Sequence, residues 1–81
     1  MTDMQTVFDA IRLEREYQDK KYGTPEERGL GIGDYVVIAE AELAEVRYDI
    51  IHNSPQHAIL ELVQVAAVVV AALERHGVRN R

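Results

Sequence analysis

Ser54-Pro55-Gln56-His57-Ala58-Ile59-Leu60-Glu61-Leu62-Val63-Gln64-Val65-Ala66-Ala67-Val68-Val69-Val70-Ala71-Ala72-Leu73-Glu74-Arg75-His76-Gly77 is the stretch on which the fold turns. Its valines favour strand, because β-branched side chains sit well on a pleated surface. Three other features favour helix. The segment runs much longer than a strand, Ser54-Pro55 reads as an N-cap followed by proline at the first helical position, and Gly77 supplies a stop. The alanines agree, so the reading is a helix over residues 55–76. Such a helix is apolar nearly all round and must be covered on nearly all sides. Two further helices of one small chain cannot do that. The sequence therefore predicts a homo-oligomeric helical bundle, with the alanines letting backbones approach closely.

Working outward, two more helices carry their own punctuation. Thr2-x-x-Gln5 fits a capping box, and Met4, Val7, Phe8 and Ile11 recur at helical spacing, so a first helix is expected over about residues 3–22. Lys20 and Lys21 suit its last turn, Gly23 a left-handed cap, and Pro25 blocks continuation. Asp34 is the expected N-cap of a helix over about residues 34–51. Between them, residues 23–33 read as a glycine-rich connection. Gly29-Leu30-Gly31-Ile32-Gly33 looks like a phosphate loop, but it lacks a Gly-Lys-Ser/Thr ending and no strand precedes it. The expectation is one all-α domain of three helices spanning residues 1–81.

Composition narrows the function classes. The chain has 81 residues, no cysteine, and 14 acidic against 9 basic residues for a net charge of −5. Disulfides and thiolate zinc sites are excluded. A bulk electrostatic grip on a nucleic-acid polymer is not expected from that charge. Val65 to Leu73, the longest apolar run, is too short to span a bilayer. The N-terminal stretch lacks the charge-then-apolar order of a signal peptide, so no membrane partner and a cytoplasmic location are expected.

The acids fall into a pattern. At about 100° per residue, Glu42, Glu45 and Asp49 share an arc of roughly 60° on the second helix, while Glu40 points away toward Arg47. On the last helix Glu61 and Gln64 interrupt an apolar segment, with His57 one turn earlier on their face. Two carboxylates about 5 Å apart repel by roughly 3 kcal/mol at an effective dielectric near 20. If these faces meet, something cationic must compensate, and magnesium suits hard oxygen donors that leave room for a phosphate. The same spacing also suits a solvated acidic stripe, where each repulsion costs only tenths of a kcal/mol.

On the first helix the apolar stripe through Phe8 and Ile11 continues to Arg15, Gln18 and Tyr22 with Lys21 beside it. Those residues suit either an interface ion pair or an anionic ligand. His52, His57 and His76 lack metal-ligand spacing among themselves and read as surface or interface histidines. The four tyrosines read as packing residues, with one free to stack on a base.

Taken in order, Glu14-Arg15-x-x-Gln18-x-x-Lys21-Tyr22-Gly23, then Ala41-Glu42-x-x-Glu45, then Glu61-x-x-Gln64, the chain resembles the MazG-like all-α nucleoside triphosphate pyrophosphohydrolase superfamily. The likeness is to its small bacterial and phage-type members and covers about Ile11 to Leu73. The family's acidic signature is E-E-x-x-E followed one helix later by E-x-x-D. Glu42, Glu45 and Glu61 match by position; Ala41 replaces the leading glutamate and Gln64 the aspartate.

The resemblance implies Mg2+-dependent hydrolysis of a (deoxy)nucleoside triphosphate to monophosphate and pyrophosphate, with Mn2+ as an alternative ion. It implies metal ligands Glu42, Glu45 and Glu61, with Gln64 offering a neutral carbonyl and Asp49 a compensating charge. Glu45 is the expected proton acceptor. Arg15 and Lys21 are expected to offset phosphate charge, and Gln18 and Tyr22 to meet base or sugar. The assembly implied is a homodimer or homotetramer. Two other readings fit the same residues: a nucleotide- or metal-binding module without turnover, and a structural helical oligomer.

Overall fold

The computed structural model describes residues 1–81 and contains helices only: α1 (Met4–Tyr22), α2 (Pro25–Arg28), α3 (Ile32–Ile51) and α4 (Pro55–His76). The all-α expectation is met, and the valine-rich run Val65–Leu73 is helical. The count differs by one, because α2 forms inside what the sequence marked as a plain connection. Thr24 and Glu27 build a reciprocal cap there: Glu27 N–H donates to Thr24 Oγ1 at 3.2 Å, and Thr24 N–H donates to Glu27 Oε1 at 2.8 Å. Pro25 opens this turn and Gly29, at φ 61°, closes it.

Two helix starts also shift. Asp3 rather than Thr2 caps α1, its Oδ1 accepting from Thr6 N–H at 2.8 Å. A carboxylate satisfies those free N–H groups and also meets the positive helix end, which a hydroxyl does not. Asp34 does not precede α3 but sits in its first turn. From there its Oδ2 accepts from Gly31 N–H at 2.9 Å, so the helix begins two residues sooner than expected. The end of α4 falls at Gly77 as read, at φ 92°.

Every other helix packs on α4. α3 and α4 form an antiparallel hairpin turned by His52-Asn53-Ser54, where Asn53 takes a positive φ of 61°. Asparagine tolerates that conformation better than most residues. Tyr35 packs with Val68 and Ala71 at one end of the hairpin, and Val46 with Ala58 and Val65 at the other. Ala67 has no exposed surface, so its small side chain is what the close packing admits.

The core is thin. Only 9 of 81 residues are buried, while apolar side chains such as Leu43, Ile50, Leu62 and Val69 lie exposed. α4 as a whole, 22 residues with mean hydropathy 1.8 over its most apolar window, has the length and composition to cross a membrane, which the Val65–Leu73 run alone has not. In this fold it is the central packing helix, with a third of that window buried (33%).

Candidate functional site

The hairpin register brings the acidic arc of α3 onto the first half of α4. Glu61 is buried on α4 at 8% exposure, Asp49 is half-buried on α3, Glu42 is half-buried, and Glu45 lies at the exposed rim. These four are the acids that spacing singled out. The structure adds a fifth, Glu14 of α1, whose charge is felt at Glu42.

Electrostatics report the crowding. Burial, followed by the charges of Glu45, Glu14 and Glu61, pushes the Glu42 carboxyl above the usual glutamate range. Glu61 is pushed up as well, first by burial and then by hydrogen bonding and charge from Asp49, with Glu45 adding to the effect. His57 acts in the opposite direction. Both carboxyls keep an oxygen without a partner: Glu42 Oε2 and Glu61 Oε2 are buried and make no hydrogen bond. Buried polar atoms are nearly always paired, because a lone one forfeits its hydration. The two orphaned oxygens leave this carboxylate cluster short of donors and of positive charge.

His57 closes one side of the cluster. Its Nδ1 lies 2.8 Å from Asp49 Oδ2 and 3.6 Å from Glu61 Oε1. The sequence reading put His57 on the acidic face but treated it as a surface histidine. The signal that was available is the His57-x-x-x-Glu61 pair, one helical turn apart.

The remaining candidates divide. Gln18 belongs to the neighbourhood, since its Nε2 donates to Glu14 Oε2 at 3.2 Å and to the Gln64 backbone carbonyl at 3.4 Å. Gln64 itself is half-buried next to Glu61 along α4, and it is its backbone oxygen that makes this contact. Arg15 is buried but engaged elsewhere: Nε donates to Glu74 Oε2 at 2.6 Å and Nη1 to Asp19 Oδ1 at 2.8 Å. Burial alone lowers its pKa, yet the bonds to those two carboxylates more than reverse that and leave it raised. Glu74 lies 13 residues beyond Glu61, about 20 Å along α4, so Arg15 staples the opposite end of the helix. Lys21 and Tyr22 are exposed, with Lys21 Nζ 5.2 Å from the Tyr22 ring centre and 5.7 Å from that of Tyr17. They sit roughly 10 Å along α1 from Glu14 and face open solvent.

A nucleotide-sized enclosure is not formed by the single chain at these acids. The largest concavity is an open groove of about 550 Å³ along the opposite side of α3, lined by Glu40, Leu43, Ala44, Val46, Arg47 and Ile50. In comparisons with family models, curated proteins and solved structures, nothing matches this chain.

Proposed function

We propose that the chain is a Mg2+-dependent nucleoside triphosphate pyrophosphohydrolase of the MazG-like kind, acting in the cytoplasm as a homo-oligomer. The observation that carries this reading is the meeting of Glu42, Glu45, Asp49 and Glu61 across α3 and α4, with buried unpartnered oxygens on Glu42 and Glu61. The donor set fits magnesium: all are hard oxygens, and the excess negative charge needs a cation. Glu42, Glu45 and Glu61 would hold the ion, with Asp49 beside them and Gln64 supplying at most a carbonyl.

When bound, magnesium neutralises triphosphate charge and makes a coordinated water more acidic. The protein supplies the rest. Glu45, at the exposed rim, would take the proton of the attacking water as the bond between the α and β phosphates breaks. Lys21, exposed on the adjoining helix, would offset charge on an outlying phosphate. Tyr22 next to it offers a ring for the base, and Gln18 a side-chain amide at the α1–α4 junction. Arg15 keeps α1 seated on α4 and so sets where Glu14, Gln18 and Lys21 stand.

The oligomer follows from the thin core. With so many apolar side chains exposed on α3 and α4, a second copy is the covering of matching character. The arrangement of Arg15 favours one competing reading, a nucleotide-binding module without turnover. Its guanidinium is spent on Glu74 and Asp19, which leaves fewer cations to stabilise charge in a transition state.

Pyrophosphate release from a panel of dNTPs and NTPs, with and without Mg2+ or Mn2+, separates these readings. Turnover that needs the ion and is lost in Glu45→Ala and Glu61→Ala supports the hydrolase. Turnover that survives both substitutions contradicts the site.

A further inference from the structure

His57 is the one nitrogen ligand at the acidic cluster, and it changes which ion that side of the cluster suits. One ligating atom from each of Asp49, His57 and Glu61 lies within 4.8 Å of the others. Ligands held about 2.1 Å from one ion stand about 3.0 Å apart when neighbouring in an octahedron and about 3.4 Å apart in a tetrahedron. The separations from His57 Nδ1, 2.8 Å to Asp49 Oδ2 and 3.6 Å to Glu61 Oε1, bracket those values. The third separation, between the Asp49 and Glu61 ligating oxygens, is within 4.8 Å.

His57 Nδ1–H donating to Asp49 leaves Glu61, more than nine-tenths buried, with Oε2 unpartnered. The ring and its two carboxylate neighbours come from both arms of the α3–α4 hairpin. His57 and Glu61 stand one turn apart near the start of α4, and Asp49 sits in the last turn of α3. The His57 side chain is 60% exposed, so the site has an open door, while Glu61 forms its floor.

We propose that Asp49, His57 and Glu61 form a binding site for a divalent first-row transition ion, of which Zn2+ is the test case. Imidazole discriminates here: magnesium prefers oxygen on all sides and gives up water reluctantly, whereas zinc and its neighbours accept a mixed nitrogen and oxygen set. The ion would tie the end of α3 to the start of α4 across the hairpin turn. This goes beyond the nucleotide reading and does not need it, because the three ligands are in place without substrate.

The test is a titration of the nucleotide-free full chain with Zn2+ and, separately, Mg2+ by calorimetry, followed by nitrogen-15 histidine spectra of the zinc sample. One Zn2+ per chain is expected, bound at least about tenfold more tightly than Mg2+, with the His57 ring nitrogens shifted and those of His52 and His76 unmoved. His57→Ala should weaken Zn2+ at least about tenfold and leave Mg2+ affinity unchanged. Asp49→Asn gives a second check through the other helix and should also weaken Zn2+. Absence of zinc binding, equal affinity in His57→Ala, or a shift confined to His52 or His76 would overturn the proposal. A chain that binds zinc as described but releases no pyrophosphate supports this site and defeats the hydrolase reading alone.

Discussion

The two ends of α4 each present a glutamate to the rest of the fold, and the fold treats them differently. Glu74 meets Arg15, which also holds Asp19, so both of these acids have a cation within 2.8 Å. Glu61 meets Asp49, Glu45 and Glu42, and only His57 opposes them. One end is a finished ion-pair staple. The other is left short of positive charge, with two buried oxygens unpaired. Stability alone accounts for the first arrangement. It does not account for the second, since gathering carboxylates in a half-buried place weakens the fold. The contrast is what motivates the proposal of a ligand at the Glu61 end.

The sharpest break of this contrast is functional. Glu45→Ala should lower pyrophosphate release about 100-fold or more, the usual worth of a positioned proton acceptor, while the melting temperature should not fall, because Glu45 is exposed and its charge crowds Glu42 and Glu61. Steady-state rates together with a melting curve read both halves of that expectation.

Next comes the staple. Arg15→Ala strands Asp19 and Glu74 and removes a buried side chain between α1 and α4, so urea unfolding should show a loss of about 2–3 kcal/mol. That is below the full penalty for breaking a buried pair, because Glu74 is half exposed.

Glu61→Gln should act in the opposite sense on stability. Removing a negative charge from the crowded end should raise the melting temperature of the metal-free protein. With Mg2+ bound as proposed, the native chain should gain stability on adding the ion, and the same change should abolish that gain. A fall in the metal-free melting temperature would mean that Glu61 is already satisfied.

The smallest effect is on pH. Glu42 and Glu61 have folded values above the ordinary 4.5, so the folded state binds more protons than the unfolded chain from about that value up through the raised ones. Metal-free stability should therefore rise as pH is lowered from neutral toward 5. Asp3 and Glu27 are held below their ordinary values by the capping bonds to Thr6 and Thr24. Their contribution is present above those values and is lost as pH falls further, so the trend should reverse in more acidic buffer. Melting temperatures across a buffer series would show the maximum.

Much of this contrast was legible in the sequence, for identifiable reasons. α4 announces its own ends, through Ser54-Pro55 and Gly77, and Glu61 stands out because it interrupts an apolar run. Glu42, Glu45 and Asp49 follow from helical periodicity alone. α2 did not show, because four residues carry no periodicity, although Thr24-Pro25-x-Glu27 is itself a start signal. Glu14 needed the packing of α1 on α4 to become a neighbour of Glu42. Arg15 suits either an ion pair or a phosphate in the sequence, because its partner Glu74 lies 59 residues away and no local pattern encodes that distance. His57 was hidden for the opposite reason: its partner Asp49 is close in sequence, but across a turn rather than along a helix.

The most direct test is phosphorus NMR of a deoxynucleoside triphosphate incubated with the native chain and Mg2+. The expected result is equal growth of nucleoside monophosphate and pyrophosphate signals, absent without the ion. Unchanged triphosphate, or orthophosphate with nucleoside diphosphate, would contradict the assignment of the Glu61 end as a pyrophosphohydrolase site.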